Sequence, residues 1–285
     1  MITNPGCYNI SFEEYLNDPC PEPSLSRSTI KDLLECPAKA FNNHPRLNPV
    51  TEEKGELKFD IGTAAHALLL QGDDVAEVID AKDYKTNAAK EARAAARSIG
   101  KVPLLTHQYD EVQKMMPVAR KFLRDSELHI YNLYNEGDSE LTYIWQEQDI
   151  WCRIRPDWIS KDRNLIIDYK TTASLSPASY EGIASQTGLD IQDAFYRRGV
   201  EAIEGTQPDF IFLVQEIQSP YLCALITLDM MFKDMGEQKV ECGVRKWRKC
   251  LKYNDWEDYG GLAYTIEPKP WALASWEMKR GELGL

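Results

Sequence analysis

The stretch RIRPDWISKDRNLIIDYKTT, Arg153 to Thr172, decides the fold. Within it LIIDYK (165–170) is a short apolar run preceded by the turn residues DRN, the pattern of a buried β-strand. Side chains along a strand alternate between faces, so Asp168 and Lys170 project from one face at the strand's C-terminal end. Asp157 lies just past the Pro156 kink in the strand before. Pairing of the two strands through the Lys161–Asn164 turn brings Asp157 close to Asp168. Two such carboxylates repel strongly without a cation between them, and Mg²⁺ prefers oxygen ligands while keeping several waters. Asp157, Asp168 and the backbone carbonyl of Tyr169 leave room for a water and a phosphate oxygen. Lys170 can orient or help deprotonate the attacking water and offset charge on a pentacovalent phosphate. An isolated D-x-K is more often a surface ion pair; the preceding Pro-Asp and the apolar LII favour a metal site.

Outward from this stretch the pattern is β on both sides. LTYIWQ (141–146) alternates, a short EQD turn follows, and IWCRIRPDWI (150–159) alternates again, which reads as an antiparallel hairpin. Downstream, SPASYEGIASQ and LDIQDAFYRRGVEAIEG read as helices. DFIFLVQE (209–216) and YLCALITL (221–228) read as buried strands joined at Ser-Pro, and 229–252 as a closing helix. The order after residue 140 predicts a mixed sheet with helices on its faces, an α/β class. Residues 1–25 read as an irregular arm and 26–135 as a helical region, with helices from Ser26 or Ser28 to Leu34, over 60–71 and over 106–125. Between them, KTNAAKEARAAARSIGK favours an exposed helix in an insertion over 73–105. A catalytic core over 136–252 and a Trp- and Pro-rich tail over 253–285 complete one domain.

Composition bounds the rest. The 285 residues are 43% hydrophobic, enough for a substantial core, and no apolar run approaches the ~20 residues that span a bilayer. Seven scattered cysteines and an N-terminus without a signal-peptide pattern predict a reducing, cytoplasmic setting and no membrane association. They show no zinc spacing. A net charge of −12 argues against a general nucleic-acid coat but not against a confined basic groove. Basic residues do cluster at Arg153 and Arg155, at Arg197 and Arg198, and at RKWRK (245–249).

The segment containing Asp157, Asp168 and Lys170 resembles the PD-(D/E)xK nuclease superfamily, and within it the RecB/RecE-like branch. Other strings match that branch in the correct order. GTAAH (62–66) resembles its helical histidine motif, LSRSTIKDLLECP (25–37) its early helix and Cys-Pro, GDSELTYIW (137–145) its acidic first strand, and IQDAFY (191–196) its Q-x-x-x-Y motif. The match runs from about residue 25 to about 230. RPDW, DYKTTAS and QDAFY make the likeness strongest to RecE-like exonucleases, the exonuclease VIII type.

That resemblance implies a restriction-endonuclease-like core and a Mg²⁺-dependent exonuclease, with Mn²⁺ able to substitute. It implies degradation of one strand of linear duplex DNA in the 5′→3′ direction, leaving single strands for recombination. It further implies a ring-shaped homo-oligomer, a RecT-type single-strand annealing partner and a phage or prophage source in a bacterial host. His66 would supplement the metal ligands Asp157 and Asp168, and Glu140 would bind a second metal or its water. Gln192 and Tyr196, four apart on one helix face, could contact a DNA phosphate or hold Lys170. Arg153, Arg155, Arg197 and Arg198 could reach backbone phosphates. No iron–sulfur cluster is expected, because Cys223, Cys242 and Cys250 lack the tight grouping that some members of the branch use. Two other readings remain open: an endonuclease or end-trimming nuclease, and a catalytically silent DNA-end-binding protein.

Overall fold

A computed structural model describes residues 1–48, 60–176, 182, 187–261, 263 and 265–284. The elements in chain order begin with β1 (Gly6–Tyr8), α1 (Phe12–Leu16), α2 (Arg27–Glu35), α3 (Pro37–Asn43) and α4 (Asp60–His66), which runs into a π-helical turn over Ala67–Gln71. Then come β2 (Ala76–Ile79), α5 (Asn87–Ser98), β3 (Val102–Leu105), α6 (Thr106–Asp125) and α7 (Leu133–Glu136). The C-terminal half holds β4 (Gly137–Ser139), β5 (Thr142–Glu147), β6 (Ile150–Ile154), β7 (Trp158–Ser160), β8 (Leu165–Thr172), α8 (Leu189–Glu204), β9 (Asp209–Glu216), β10 (Cys223–Ile226) and α9 (Met230–Tyr253). An exposed helix, α10 (Pro270–Glu282), ends the described chain. The helix expected from SPASYEGIASQ falls largely outside the described residues.

The central sheet has five strands in the order β10-β9-β8-β7-β4. β8 and β9 pair in parallel and the other neighbours are antiparallel, so the sheet is mixed as expected. α8 is the crossover between the parallel strands. One apolar core on the α8 side includes Ile159, Ile166, Phe210 and Phe212, together with Phe195 of α8 and Trp247 of α9. A second, on the α4 and α6 side, takes Trp158, Ile167, Tyr169 and Leu213 with Leu69 and Met115. Successive strand residues therefore enter opposite cores, as a period of two demands.

The structure departs from the sequence reading at Pro156. The alternating run 150–159 is two strands in different sheets, because proline has no N–H to continue a ladder. β5 and β6 form a separate sheet with β1, and their two-residue turn has both Gln148 and Asp149 at positive φ. That conformation matches the twist of a tight hairpin. After Ile154 the chain crosses through Arg155, Pro156 and Asp157 to enter the central sheet as β7. The insertion also differs from expectation: β2 and β3 pair in parallel around α5.

The N-terminal arm is ordered as well. β1 pairs with β5, and Leu25 exchanges backbone hydrogen bonds with Trp151 and Arg153. Beside it, Asp18 is buried and accepts from the Ser24 N–H at 2.8 Å, with Arg153 Nη1 at 3.2 Å and His44 Nε2 at 3.4 Å. Burial opposes ionisation of Asp18, but His44, Arg153 and Ser24 outweigh it and bring its carboxyl down to about 2. The folded carboxyl thus holds its proton less tightly than the unfolded one at 3.8. Its stabilising contribution is complete above about pH 5 and is lost as pH falls toward 2. Arg153→Ala, which leaves the Asp18 charge buried without its guanidinium, is expected to cost about 3–5 kcal/mol in urea unfolding at pH 7. The gap from wild type should narrow as the pH is lowered from 5 to 3.

Candidate active site

The crossing at Pro156 builds the site. Trp158 pairs with Ile167 across β7 and β8, so one step further Asp157, just before β7, stands opposite Asp168. β8 runs on to Thr172, so Asp168 lies midway along it and not at the C-terminal end expected from the sequence. The Tyr169 N–H donates to Asp157 Oδ2 at 2.9 Å and fixes that carboxylate. Glu140 adopts a left-handed backbone (φ 59°) between β4 and β5, and its N–H donates to the Asp157 carbonyl at 3.2 Å. Such a conformation is strained for a residue with a Cβ; here it turns Glu140 toward Asp157. α4 delivers His66 from the other side. A Cβ on Gly62 would lie 2.9 Å from Thr171 Oγ1, so the small residue lets this helix come close to β8.

His66 Nε2 lies 3.0 Å from Asp157 Oδ2, and His66 Nδ1 lies 3.5 Å from Glu140 Oε1. Among the described residues, the group of His, Cys, Asp and Glu that could hold a metal is His66, Glu140 and Asp157, whose ligand atoms all lie within 4.8 Å of one another. Asp168 is fully buried next to them, its carboxylate paired with Lys170 and accepting from the Gln192 side-chain amide. Gln192 therefore meets Asp168 directly and Lys170 only through it. Tyr196 lies in the same cleft with its ring edge-on to Phe210, centroids 6.0 Å apart.

The electrostatics report crowded negative charge. Burial and the Asp157 carboxylate push Asp168 up to about 6, against the pull of Lys170 and His66. Burial and Asp157 also raise Glu140, despite His66 and Arg155. Burial opposes a charged imidazole at His66, yet Asp157, Glu140 and Asp168 together raise it to about 9. Burial works against ionisation of Asp157 too, but His66, Lys170 and the Tyr169 N–H hold it below its usual range. An imidazolium thus supplies the positive charge that this cluster demands. Two carboxylate oxygens and an imidazole nitrogen, all converging, suit a divalent cation such as Mg²⁺ or Mn²⁺.

The expected arginine contacts with DNA fare differently. Arg153 is 4% exposed and committed to Asp18 and Ser24, so it serves the fold and cannot reach a phosphate backbone. Arg197 pairs with Asp193 and Glu237, and Arg198 with Glu147 and Glu241, which neutralises both within the chain. Neither lines the cleft that holds His66 and Asp157. Arg155 does line it, but its guanidinium is engaged by Glu140 Oε2, by the Ile10 carbonyl at 2.8 Å and by Thr142 Oγ1 at 3.0 Å. Residues that the sequence reading passed over also enter the cleft: Arg27, which donates to the carbonyls of Thr187 and Gly188, and Phe12 and Tyr15 of α1. A signal for α1 was present, because Ser11-Phe12-Glu13-Glu14 has the capping-box spacing.

A family model described as "PDDEXK-like domain of unknown function (DUF3799)" matches residues 26–268. The chain belongs to this family. The mixed sheet with flanking helices is the fold of a PDDEXK-like domain. A crystal structure described as a "Putative exonuclease" from Eubacterium rectale superposes with a TM-score of 0.62 at 14% identity, covering 94% of this chain and 98% of that one. At that identity the likeness is one of fold. No curated protein matches this PDDEXK-like domain.

Asp157→Asn and Glu140→Gln are each expected to weaken Mn²⁺ or Mg²⁺ binding by about tenfold or more, read by titration calorimetry. Protons on Asp168 (about 6) and His66 (about 9) oppose the ion, so affinity should rise with pH between those values.

Proposed function

We propose that this PDDEXK-like domain is a divalent-metal-dependent nuclease that removes nucleotides from the ends of linear duplex DNA. The observation that carries the reading is the convergence of His66, Glu140 and Asp157 beside the Asp168–Lys170 pair of β8. Family membership and the likeness to the Eubacterium rectale protein support a nuclease. That protein's description as a "Putative exonuclease", and the resemblance of the motifs to RecE-like enzymes, favour action at ends.

His66, Glu140 and Asp157 would hold the ion, with Asp168 at its side. When bound, it supplies Lewis acidity toward a phosphate oxygen and draws the phosphodiester into the cleft. Lys170 is placed by Asp168, and Asp168 is placed by the Gln192 amide. The Lys170 ammonium can orient the attacking water and offset charge on the phosphate as it becomes pentacovalent. Arg155 holds one oxygen of Glu140 so that the other faces His66. Degradation from 5′ ends, a ring-shaped oligomer around the duplex and a single-strand annealing protein as partner belong to the same reading. They rest on the RecE-like resemblance.

Linear duplex DNA labelled separately at its 5′ and 3′ ends, and a closed circle, provide the test. The expected outcome is Mg²⁺-dependent loss that begins at 5′ ends, stops in EDTA, spares the circle and falls at least ~100-fold in Lys170→Ala. Equal cutting of the circle would make the protein an endonuclease. DNA binding without cleavage in any metal would make it an end-binding protein.

A further inference from the structure

One wall of the cleft is a segment whose placement the apolar cores do not explain. α1 has five residues and buries none of them. It is nevertheless held from several sides. The Glu14 N–H donates to Ser11 Oγ at 3.1 Å, and the Ser11 N–H donates to the Glu14 carboxylate at 3.0 Å, closing a capping box. Arg155 donates to the Ile10 carbonyl just before the helix, at 2.8 Å. The Arg153 guanidinium lies 5.4 Å from the Tyr15 ring centroid, and the buried Asp18 cluster begins two residues past the helix end. Only Tyr15 of the helix is even partly buried, so the hydrophobic effect contributes little, and these restraints fix the direction of what it displays. Spacings of three and four put Phe12, Tyr15 and Leu16 on one face. Phe12 and Tyr15 line the same cleft as His66, Glu140, Asp157 and Lys170, a space of about 780 Å³. Phe12 is 59% exposed there.

We infer that Phe12 is the stacking platform for a nucleobase of the substrate, a subsite that rests on the nuclease reading above. The charged cluster in the cleft recognises phosphate and has no use for a neutral phenyl ring. A base attached to a bound nucleotide does, because every base has a π-face that an aromatic ring can cover. Stacking of this kind is tolerant of sequence, as degradation of arbitrary DNA requires. A base inside a duplex has both faces covered by its neighbours, so the base that stacks on Phe12 belongs to a nucleotide at a strand end, where one face is free or the pair has frayed. Single exposed apolar residues are ordinary on protein surfaces. Phe12 is distinguished by its restrained helix and by sharing a cleft with the carboxylates.

A cycle that removes either partner of the stack tests this. DNA binding is measured in the Lys170→Ala background, so that substrate is not consumed, for Phe12, Phe12→Ala, Phe12→Leu and Phe12→Trp. The probe is a linear duplex, intact or with one abasic nucleotide placed in turn at each of the last few positions of either strand. Phe12→Ala should bind intact DNA roughly 5- to 100-fold more weakly. Phe12→Trp should restore binding and Phe12→Leu should not. At one position the abasic nucleotide should cost the Phe12 protein as much as Phe12→Ala does, and cost Phe12→Ala nothing more. The thermal midpoint of Phe12→Ala should stay at the parent value, given the exposure of the ring. Equal binding by Phe12→Leu, or losses that add at every position, would overturn the subsite while leaving the nuclease reading intact. Cleavage undiminished by Lys170→Ala would remove that reading and the subsite with it.

Discussion

Mutual repulsion of carboxylates gathered around the buried Asp168 is the constraint around which the C-terminal half is arranged. Asp157, just before β7, faces Asp168 midway along β8, and Glu140 is drawn in beside them by a hydrogen bond from its own N–H to the Asp157 carbonyl. Negative charge gathered this closely in a partly dry setting is costly. The chain supplies counter-charges from separate elements: Lys170 from the same strand as Asp168, His66 from α4, and Arg155 from the sheet crossing. The upward shifts of Asp168 and His66 are two views of the same unmet demand for positive charge. A divalent ion would meet that demand more fully than an imidazolium, which joins the electrostatics of the cluster to the proposed chemistry.

The second organising feature is the step between sheets at Pro156. It ends β6, starts β7, and leaves Arg155 and Asp157 on either side of the proline. Arg155 reaches back to Ile10 and Glu140, so the N-terminal arm and the acidic cluster share one guanidinium. Arg153, two residues earlier, is buried with Asp18 and anchors the other end of the arm. Two arginines that look like nucleic-acid contacts by composition thus tie α1 into the cleft wall. α1 becomes part of the site through hydrogen bonds and ion pairs, while the arm on either side of it packs Tyr8 and Cys20 against Ile144 and Trp151.

The sequence was most legible where local pattern and chemistry coincide. The alternation and apolar run of Arg153 to Thr172 carried the strands, and the separation of two placed Asp168 and Lys170 on one face. The helix at 106–125 showed in its periodicity, and the stretch 229–252 read as a closing helix. The motif strings for His66, Glu140 and Gln192 pointed to residues that the structure does gather. What stayed hidden was long-range. A cluster of arginines reads the same whether it faces solvent or a buried carboxylate, so Arg153, Arg197 and Arg198 could not be sorted without their partners. β1, β2 and β3 are three or four residues long, too short for a period to declare itself, and they exist by pairing with distant segments.

The sequence by itself determined the core strands, the main helices and the identity of the charged residues on β8, because spacing along a strand or helix is a local property. Only the tertiary structure decided which charges meet. It brought His66 from α4 and Glu140 from its left-handed turn to Asp157, gave Gln192 to Asp168, and set α1 against the cleft. Those placements depend on segments up to 145 residues apart, as for Arg155 and Ile10, and no local pattern encodes such a contact.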